Sequence, residues 1–214
     1  MLNVSICVST FGNFKWKLLA QERALPNARS FGVPVIYNHV DAPDSLHVAR
    51  NLGLAQVETA WVCFLDADDE LAPGFFEEME KVEGDLRPPS VNHVHEGVTF
   101  MPRVVGKNGV HNHMCVADCL LEGNFLCIGT VVRTELLRAV GGWKNYSNFE
   151  DYDAWMRCWL AGGTVTPVPR AIYQSYSTAQ GRCRNMSVKE GRMVQYDIAK
   201  TNMPEKDWEW LLRI

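Results

Sequence analysis

The stretch Trp61–Asp69, which reads WVCFLDADD, decides the fold: five apolar residues run directly into a group of three carboxylates. A short run that is apolar at every position predicts a strand buried on both faces, as in the parallel sheets of α/β proteins. Ligands of open α/β sheets bind outside the carboxyl ends of the strands. Asp66 and Asp68 stand two positions apart, so in an extended chain their side chains point the same way. The stretch therefore predicts a buried strand that ends in an acidic binding site.

Two interpretations of the acidic group stay open at this point. Asp66, Asp68 and Asp69 repel one another, and a hard cation such as Mg²⁺ or Mn²⁺ that also binds phosphate oxygens would offset the repulsion. Alternatively, the acids cap the helix that begins near Pro73, where negative charge is favoured, and the remaining carboxylates are solvated.

The rest of the chain alternates between strands and helices. Strands are predicted at 4–8, 33–37, 61–65 and 126–132, and helices at 14–29, 45–58, 134–140, 150–161 and 187–200. Pro26 is expected to end or break the first helix. The segments 91–105 and 110–116 flank the turn Gly106–Gly109 and predict an antiparallel hairpin. The fold class is therefore α/β, with a Rossmann-like, mostly parallel sheet flanked by helices and a small antiparallel hairpin.

Composition narrows the function classes. The 214 residues suit one domain, which we divide into the parts 1–82 and 83–185 and a C-terminal helix and tail at 186–214. A net charge of −4 argues against bulk electrostatic binding to nucleic acid. The seven cysteines lie mostly in apolar runs, and we find neither a signal peptide nor a membrane span. These features predict a cytoplasmic location.

Several ordered motifs resemble those of family-2 glycosyltransferases with the GT-A fold. The resemblance runs from Val4 to about Tyr173 and is carried by Ala49–Ala55, Trp61–Leu71, Gly129–Arg133, Val140–Trp143 and Glu150–Arg157. In that family an Ala-Arg-Asn helix start precedes an Asp-x-Asp strand end by the same separation. The resemblance implies a GT-A fold and transfer of a sugar from a nucleoside-diphosphate donor, most commonly a UDP-sugar, to an acceptor hydroxyl. It makes residues 1–82 the nucleotide-sugar half and residues 83–185 the acceptor half.

The resemblance also implies a set of donor-binding residues. Those that would lie against the base are Ser9, Thr10 and Phe11, with Asp41 favoured over Asp44 for the base-contacting acid and His39 beside it. Arg50 would help to hold the nucleotide, Asp66 the ribose and Asp68 a Mn²⁺ or Mg²⁺ ion. Many relatives supply a late histidine to the metal, whereas this chain has Tyr173–Tyr176 in that stretch. The metal would then have one protein ligand, completed by phosphate and water.

For the acceptor side, the resemblance implies a pair of acids at a helix start. Asp151 would be the general base of an inverting displacement with Glu150 beside it, while Asp153 is expected to be solvated or capping. The residues expected near the acceptor are Gly129, Thr130, Trp143, His111 and His113. The acceptor itself stays unidentified, whether a glycan, a lipid-linked sugar, a protein side chain or a modified nucleobase.

Three further interpretations are kept open. The same acidic site on an α/β sheet would suit a nucleotidyltransferase, or a non-catalytic binding protein that retains the fold. The hairpin residues could instead bind zinc through His93, His95, His111, His113, Cys115 and Cys119. The loop 173–185 could close over the donor and bring Arg182 or Arg184 to phosphate. The Trp208 tail is expected to pack on the domain or on a second subunit, which would give a homo-oligomer.

Overall fold

The computed structural model describes residues 2–43, 45–95, 98–99, 126–176 and 187–212. The strands are β1 (Val4–Phe11), β2 (Val35–Val40), β3 (Trp61–Leu65), β4 (Glu70–Leu71), β5 (Leu86–Arg87), β6 (Pro89–His95), β7 (Val98–Thr99), β8 (Val131–Arg133) and β9 (Val168–Tyr176). The α-helices are α1 (Lys15–Leu19), α2 (Leu25–Arg29), α3 (Leu46–Gln56), α4 (Phe75–Glu80), α5 (Thr134–Ala139), α6 (Glu150–Leu160) and α7 (Val188–Asn202). A π-helical segment, Ala20–Ala24, joins α1 to α2, and a 3₁₀ turn covers Glu209–Leu212.

The main sheet has the strand order β2-β1-β3-β8-β5. Strand β1 is parallel to β2 and β3, β8 is antiparallel to β3, and β5 is antiparallel to β8. Four of the five strands therefore run in the same direction, which confirms the prediction of a mostly parallel α/β sheet. Strand β3 spans the predicted Trp61–Leu65 and is buried at every position, because the sheet is covered on both faces.

The first helical region corrects the prediction made for Pro26. The chain stays helical from Lys15 to Arg29, and Pro26 lies within the first two positions of α2. A proline inside a helix leaves the carbonyl four residues earlier without its usual donor. The π-helical turn Ala20–Ala24 directly precedes this point and changes the hydrogen-bonding register, so the helix passes through the proline without ending.

A second sheet, with the order β4-β9-β6-β7, lies beyond the main one. Strands β6 and β7 pair antiparallel, so the predicted first arm at 91–105 is not one continuous strand. The second arm, at 110–116, lies outside the described residues. Residues 126–130 are not the predicted strand. The backbone N–H and the hydroxyl of Thr130 both donate to the carbonyl of Cys127, at 3.1 and 2.8 Å, so the chain turns before β8 begins.

The C-terminal segment packs back onto the domain. Ser187 and Glu190 form a reciprocal capping box at the start of α7, which fixes where this helix begins. Trp208 is 2% exposed, and its indole N–H donates to the carbonyl of Met203 at 3.0 Å. None of the helices in the described ranges is long and apolar enough to cross a membrane.

Candidate active site

The acidic loop, residues 66–71, leaves the carboxyl end of β3 and enters β4. The loop turns at once, because the N–H of Asp69 donates to the carbonyl of Asp66 at 3.2 Å. The side chain of Asp66 is 37% exposed and faces the open end of the sheet, whereas Asp69 is 6% exposed. The carboxylates that the sequence presents as one group therefore divide into accessible and buried members.

Strand β9 holds the buried member of the acidic loop. The phenol of Tyr173 donates to Asp69 Oδ2 at 2.8 Å and accepts from the N–H of Asp66 at 3.3 Å. The N–H of Tyr176 donates to Asp69 Oδ1 at 2.7 Å. Burial, together with the charges of Asp68 and Asp66, nevertheless raises the pKa of Asp69 well above its ordinary value.

The helical region before β2 holds the same loop from its other side. Arg23 donates from Nη1 to the carbonyl of Asp68 at 2.7 Å, and its guanidinium lies 4.2 Å from the ring centroid of Tyr176. Asn27 bonds to both the N–H and the carbonyl of Leu71, at 2.8 and 3.0 Å. These supporting residues were missed by the sequence analysis, since Arg23 and Asp68 stand 45 positions apart and no local pattern links them.

Arg50 of α3 lies between two carboxylates. It donates from Nη2 to Asp66 Oδ1 at 2.8 Å and from Nη1 to Glu150 Oε1 at 2.6 Å, while its own side chain is 2% exposed. Burial alone would lower the pKa of the Arg50 guanidinium, but the charges of Asp66 and Glu150 outweigh it and raise the pKa. Arg50 is thus occupied within the protein, and its predicted help in holding the nucleotide would act through Asp66.

The Ala-Arg-Asn motif also fastens the segment that leads to α6. The side-chain amide of Asn51 donates to the carbonyl of Trp143 and accepts from its N–H, both at 2.8 Å. Trp143 is 2% exposed, packs edge-on against Phe64 and Trp155, and lies under the Arg50 guanidinium at 4.7 Å. Trp143 is therefore a core residue beneath the site, and any part that it plays in acceptor binding is indirect.

The ends of β1 and β2 form a second polar group, on the exposed side of the site. Thr10 Oγ1 lies 2.9 Å from His39 Nδ1, and His39 Nε2 lies 3.0 Å from Asp41 Oδ1. Asp41 also accepts from Lys17 Nζ at 3.2 Å and is 89% exposed. The hydroxyl of Ser9 is buried, with no hydrogen-bond partner anywhere in the described ranges. The structure thus brings these predicted base-contacting residues to one edge; Phe11 ends β1 beside them, and Asp44 lies outside the described residues.

Helix α6 begins with the predicted acidic pair. Glu150 is 4% exposed and bonded to Arg50, while Asp151 is partly exposed and accepts from the N–H of Tyr152 at 2.9 Å. Asp153 was expected to be solvated or capping, and this was wrong. It is fully buried and paired with Arg157 at 2.6 Å, one turn further along the same face of the helix.

Comparisons with known proteins agree with this geometry. The sequence profile described as glycosyl transferase family 2 matches residues 21–83, which include the Ala-Arg-Asn helix and the acidic loop. Residues 21–83 therefore resemble family-2 glycosyltransferases in sequence. The structure resembles that of S. aureus TarS 1-349 in complex with UDP-GlcNAc, with a TM-score of 0.67 and 13% identity over 99% of this chain and 70% of that one.

Two further structures share the fold of this chain. TarS 1-349 in complex with UDP matches with a TM-score of 0.60 and 12% identity, over 97% of this chain and 69% of that one. A longer S. aureus TarS chain matches with a TM-score of 0.61 and 13% identity, over 98% of this chain and 41% of that one. No curated protein matches in sequence.

Gly129 and Thr130 lie in the turn that precedes β8. Both are buried, and a Cβ added at Gly129 would meet Tyr173 Cδ2 at 2.1 Å, so the glycine makes room for the ring that holds Asp69. These residues therefore support the acidic loop from behind. His111 and His113, the other predicted acceptor residues, lie outside the described residues, as do Cys115 and Cys119 of the zinc alternative and Arg182 and Arg184 of the predicted closing loop.

No cluster of three or more His, Cys, Asp or Glu side chains in the described ranges could hold a metal by itself. The oxygen atoms at the carboxyl end of β3 nevertheless suit a hard cation, whose coordination phosphate oxygens and water would complete. Asp68 is partly exposed, and burial, together with the charges of Asp68 and Asp66, raises the pKa of Asp69. Asp68 would hold such an ion together with the phosphate oxygens of the donor.

Proposed function

We propose that this chain is an inverting glycosyltransferase that moves a sugar from a nucleoside-diphosphate sugar to an acceptor hydroxyl. The observation that carries the proposal is the pair of bonds made by Arg50. One guanidinium contacts Asp66 at the end of β3 and Glu150, the neighbour of Asp151, at the start of α6. A donor-binding carboxylate and a base-bearing helix thus converge on one site, as a single displacement requires.

The donor is proposed to be a UDP-sugar. Asp41 lies exposed at the end of β2, where its carboxylate can accept an N–H from the base, and His39 orients it at 3.0 Å. The pKa of Asp41 is lowered by its hydrogen bond and charge interaction with Lys17, so the acid is ionised at neutral pH and ready to accept. The resemblance to a TarS structure in complex with UDP-GlcNAc supports the same donor class.

Asp151 is proposed to take the proton from the acceptor hydroxyl as that oxygen attacks the anomeric carbon. Its position in the first turn of α6, an 11-residue helix, favours the ionised carboxylate that a base needs. Asp68 would hold Mn²⁺ or Mg²⁺, which supplies charge neutralisation for the departing diphosphate when it is bound. Asp66 would accept hydrogen bonds from the ribose hydroxyls.

A binding experiment tests the donor site. Thermal unfolding with UDP, UDP-GlcNAc and other nucleotide sugars, each with and without Mn²⁺, should reveal a stabilising donor. Asp68→Ala should remove the part of the shift that depends on Mn²⁺. Glu135→Gln is the control, since it removes an exposed ion pair on α5 and should leave every shift unchanged. The absence of any nucleotide-dependent shift in the wild type would overturn the proposal.

A rate experiment tests the reaction. Release of UDP from UDP-GlcNAc, with water as the acceptor, should fall by at least about 100-fold in Asp151→Asn. Donor binding in the thermal assay should survive this change. A variant that released UDP at the wild-type rate would exclude Asp151 as the base, and release of UMP in place of UDP would favour a nucleotidyltransferase.

A further inference from the structure

A buried ion pair connects the acidic loop to the start of α6. It joins Arg50 to Glu150, and Arg50 also contacts the more accessible Asp66. Arg50 and Glu150 stand 100 positions apart, and their side chains are 2% and 6% exposed. The other carboxylate on Arg50 belongs to Asp66, which is 37% exposed. A ligand can therefore reach Asp66, whereas Glu150 is too deeply buried to touch a substrate.

The guanidinium between these carboxylates has little freedom to move. Its Nη1 donates to Glu150 and its Nη2 to Asp66, and the centroid of the Trp143 ring lies 4.7 Å from the guanidinium carbon. Asn51, the next residue of α3, fixes the backbone of Trp143 through two hydrogen bonds of 2.8 Å. Because the planar fork is rigid, a change at Glu150 must alter the orientation of Asp66 as well.

We propose that Arg50 and Glu150 are positioning residues that couple the donor carboxylate Asp66 to the placement of the base-bearing turn of α6. The inference rests on the proposed function and deepens it. Neither residue contacts the reacting atoms. Arg50 sets the direction in which Asp66 presents its free oxygen, and Glu150 anchors the turn from which Asp151 faces the acceptor.

Helix α6 contains a second buried ion pair that serves as a matched control. Asp153 and Arg157 are 0% and 9% exposed at their side chains and are joined at 2.6 Å. Arg157 also donates to the carbonyls of Val140 and Gly142. This pair stabilises α6 as Glu150 does, but the bonds of Arg157 go to its own helix and to backbone carbonyls of the preceding segment.

The test compares Glu150→Gln with Asp153→Asn in UDP-GlcNAc hydrolysis with Mn²⁺, at a temperature where both variants are folded. Both should lose thermal stability, because each removes a carboxylate from a buried arginine, although Arg50 keeps Asp66 as a second partner. Glu150→Gln should raise the donor KM and lower kcat, each by about tenfold, as changes to residues behind a ligand-binding group commonly do. Asp153→Asn should keep both constants within about twofold of the wild type.

Two additional variants keep the inference falsifiable. Arg50→Lys places a single ammonium where a fork is needed, so it should show the same two changes in kcat and KM. If Glu150→Gln does not fold, the double variant Arg50→Met with Glu150→Leu replaces the buried pair by apolar groups and should fold while losing activity. Wild-type kcat and KM in any of these variants would overturn the inference. A wild type that turns over no nucleotide sugar would instead show that the proposed function has failed.

Discussion

Asp41 and Asp69 lie at the same carboxyl edge of the main sheet, but their surroundings differ in every respect. Asp41 is 89% exposed, and its hydrogen bond and charge interaction with Lys17, assisted by His39, lower its pKa. Asp69 is 6% exposed, and burial together with the charges of Asp68 and Asp66 raises its pKa well above the ordinary range. One acid is ionised and open to a ligand, while the other is enclosed by β9.

The difference teaches that the acidic group of the sequence is not a set of equivalent ligands. A raised pKa means that Asp69 keeps its proton to a higher pH than an ordinary carboxyl, which lowers the negative charge around Asp66 and Asp68. Asp69 is bonded to Tyr173 and Tyr176 of β9, so it belongs to the frame of the site. Asp41 has the features of a ligand-binding acid instead.

The largest expected effect on stability comes from breaking the enclosure of Asp69. In Gly129→Ala, the new Cβ would lie 2.1 Å from Cδ2 of Tyr173, so the ring would be forced away from Asp69. We expect the free energy of unfolding to fall by about 3 kcal/mol in urea titrations. If the clash is the cause, Gly129→Ala combined with Tyr173→Ala will cost less than the sum of the single changes. Strict additivity would contradict this explanation.

Removing one tyrosine hydroxyl on the Asp69 side of the site and one on the Asp41 side should sharpen the comparison. Tyr173→Phe removes the hydroxyl that donates to Asp69 and accepts from the N–H of Asp66, so we expect the free energy of unfolding to fall by about 2 kcal/mol. Tyr37→Phe removes a partly buried hydroxyl that lies 3.1 Å from Thr10 Oγ1, and we expect the free energy of unfolding to fall by less than about 1 kcal/mol. Urea unfolding of both variants provides the measurement. Equal losses would show that burial does not distinguish the two sides.

Much of the fold could be predicted from the sequence, because the signals are local. The apolar run Trp61–Leu65 predicted the bounds of β3, and the helix predicted at 187–200 corresponds to α7. The predicted strand at 126–132 was mostly wrong. Most of its residues lie in a buried turn that precedes β8, and hydrophobicity alone does not distinguish a turn from a strand when both lie in the core.

The site was predicted in part, and the limit again has a physical cause. The family resemblance predicted site roles for Arg50 and Asp66, and Arg50 Nη2 lies 2.8 Å from Asp66 Oδ1. Arg23 and Tyr173 were missed, since they act through single contacts with residues 45 and 104 positions away. Such contacts depend on how the π-helical segment Ala20–Ala24 and β9 pack around the acidic loop, and no periodicity along the chain reveals that packing.

The pH dependence of stability should differ between the two acids. The folded-state pKa of Asp69 is raised, so between the unfolded and folded values the native protein holds a proton that the unfolded chain lacks. Its contribution to stability therefore falls as the pH rises through that window, and Asp69→Asn should flatten this part of the profile. Asp41 has a lowered pKa, so its contribution is present above the unfolded value and is lost as the pH falls through the folded value. Urea titrations across pH in EDTA measure both, and a profile unchanged in Asp69→Asn would contradict the assignment.

The smallest effect on stability, with a clear effect on binding, is expected for Asp41→Asn. An exposed ion pair contributes little, so the midpoint of urea unfolding should stay close to that of the wild type. The amide loses the charge that would accept the N–H of the base, so the Kd for UDP should rise about tenfold in calorimetric titrations with Mn²⁺. Glu135→Gln is the matched control, because it also removes an exposed acid paired with a cation, at 2.7 Å from Arg138. If the two variants bind UDP equally well, Asp41 does not contact the base, and exposure at this edge of the sheet is no guide to donor binding.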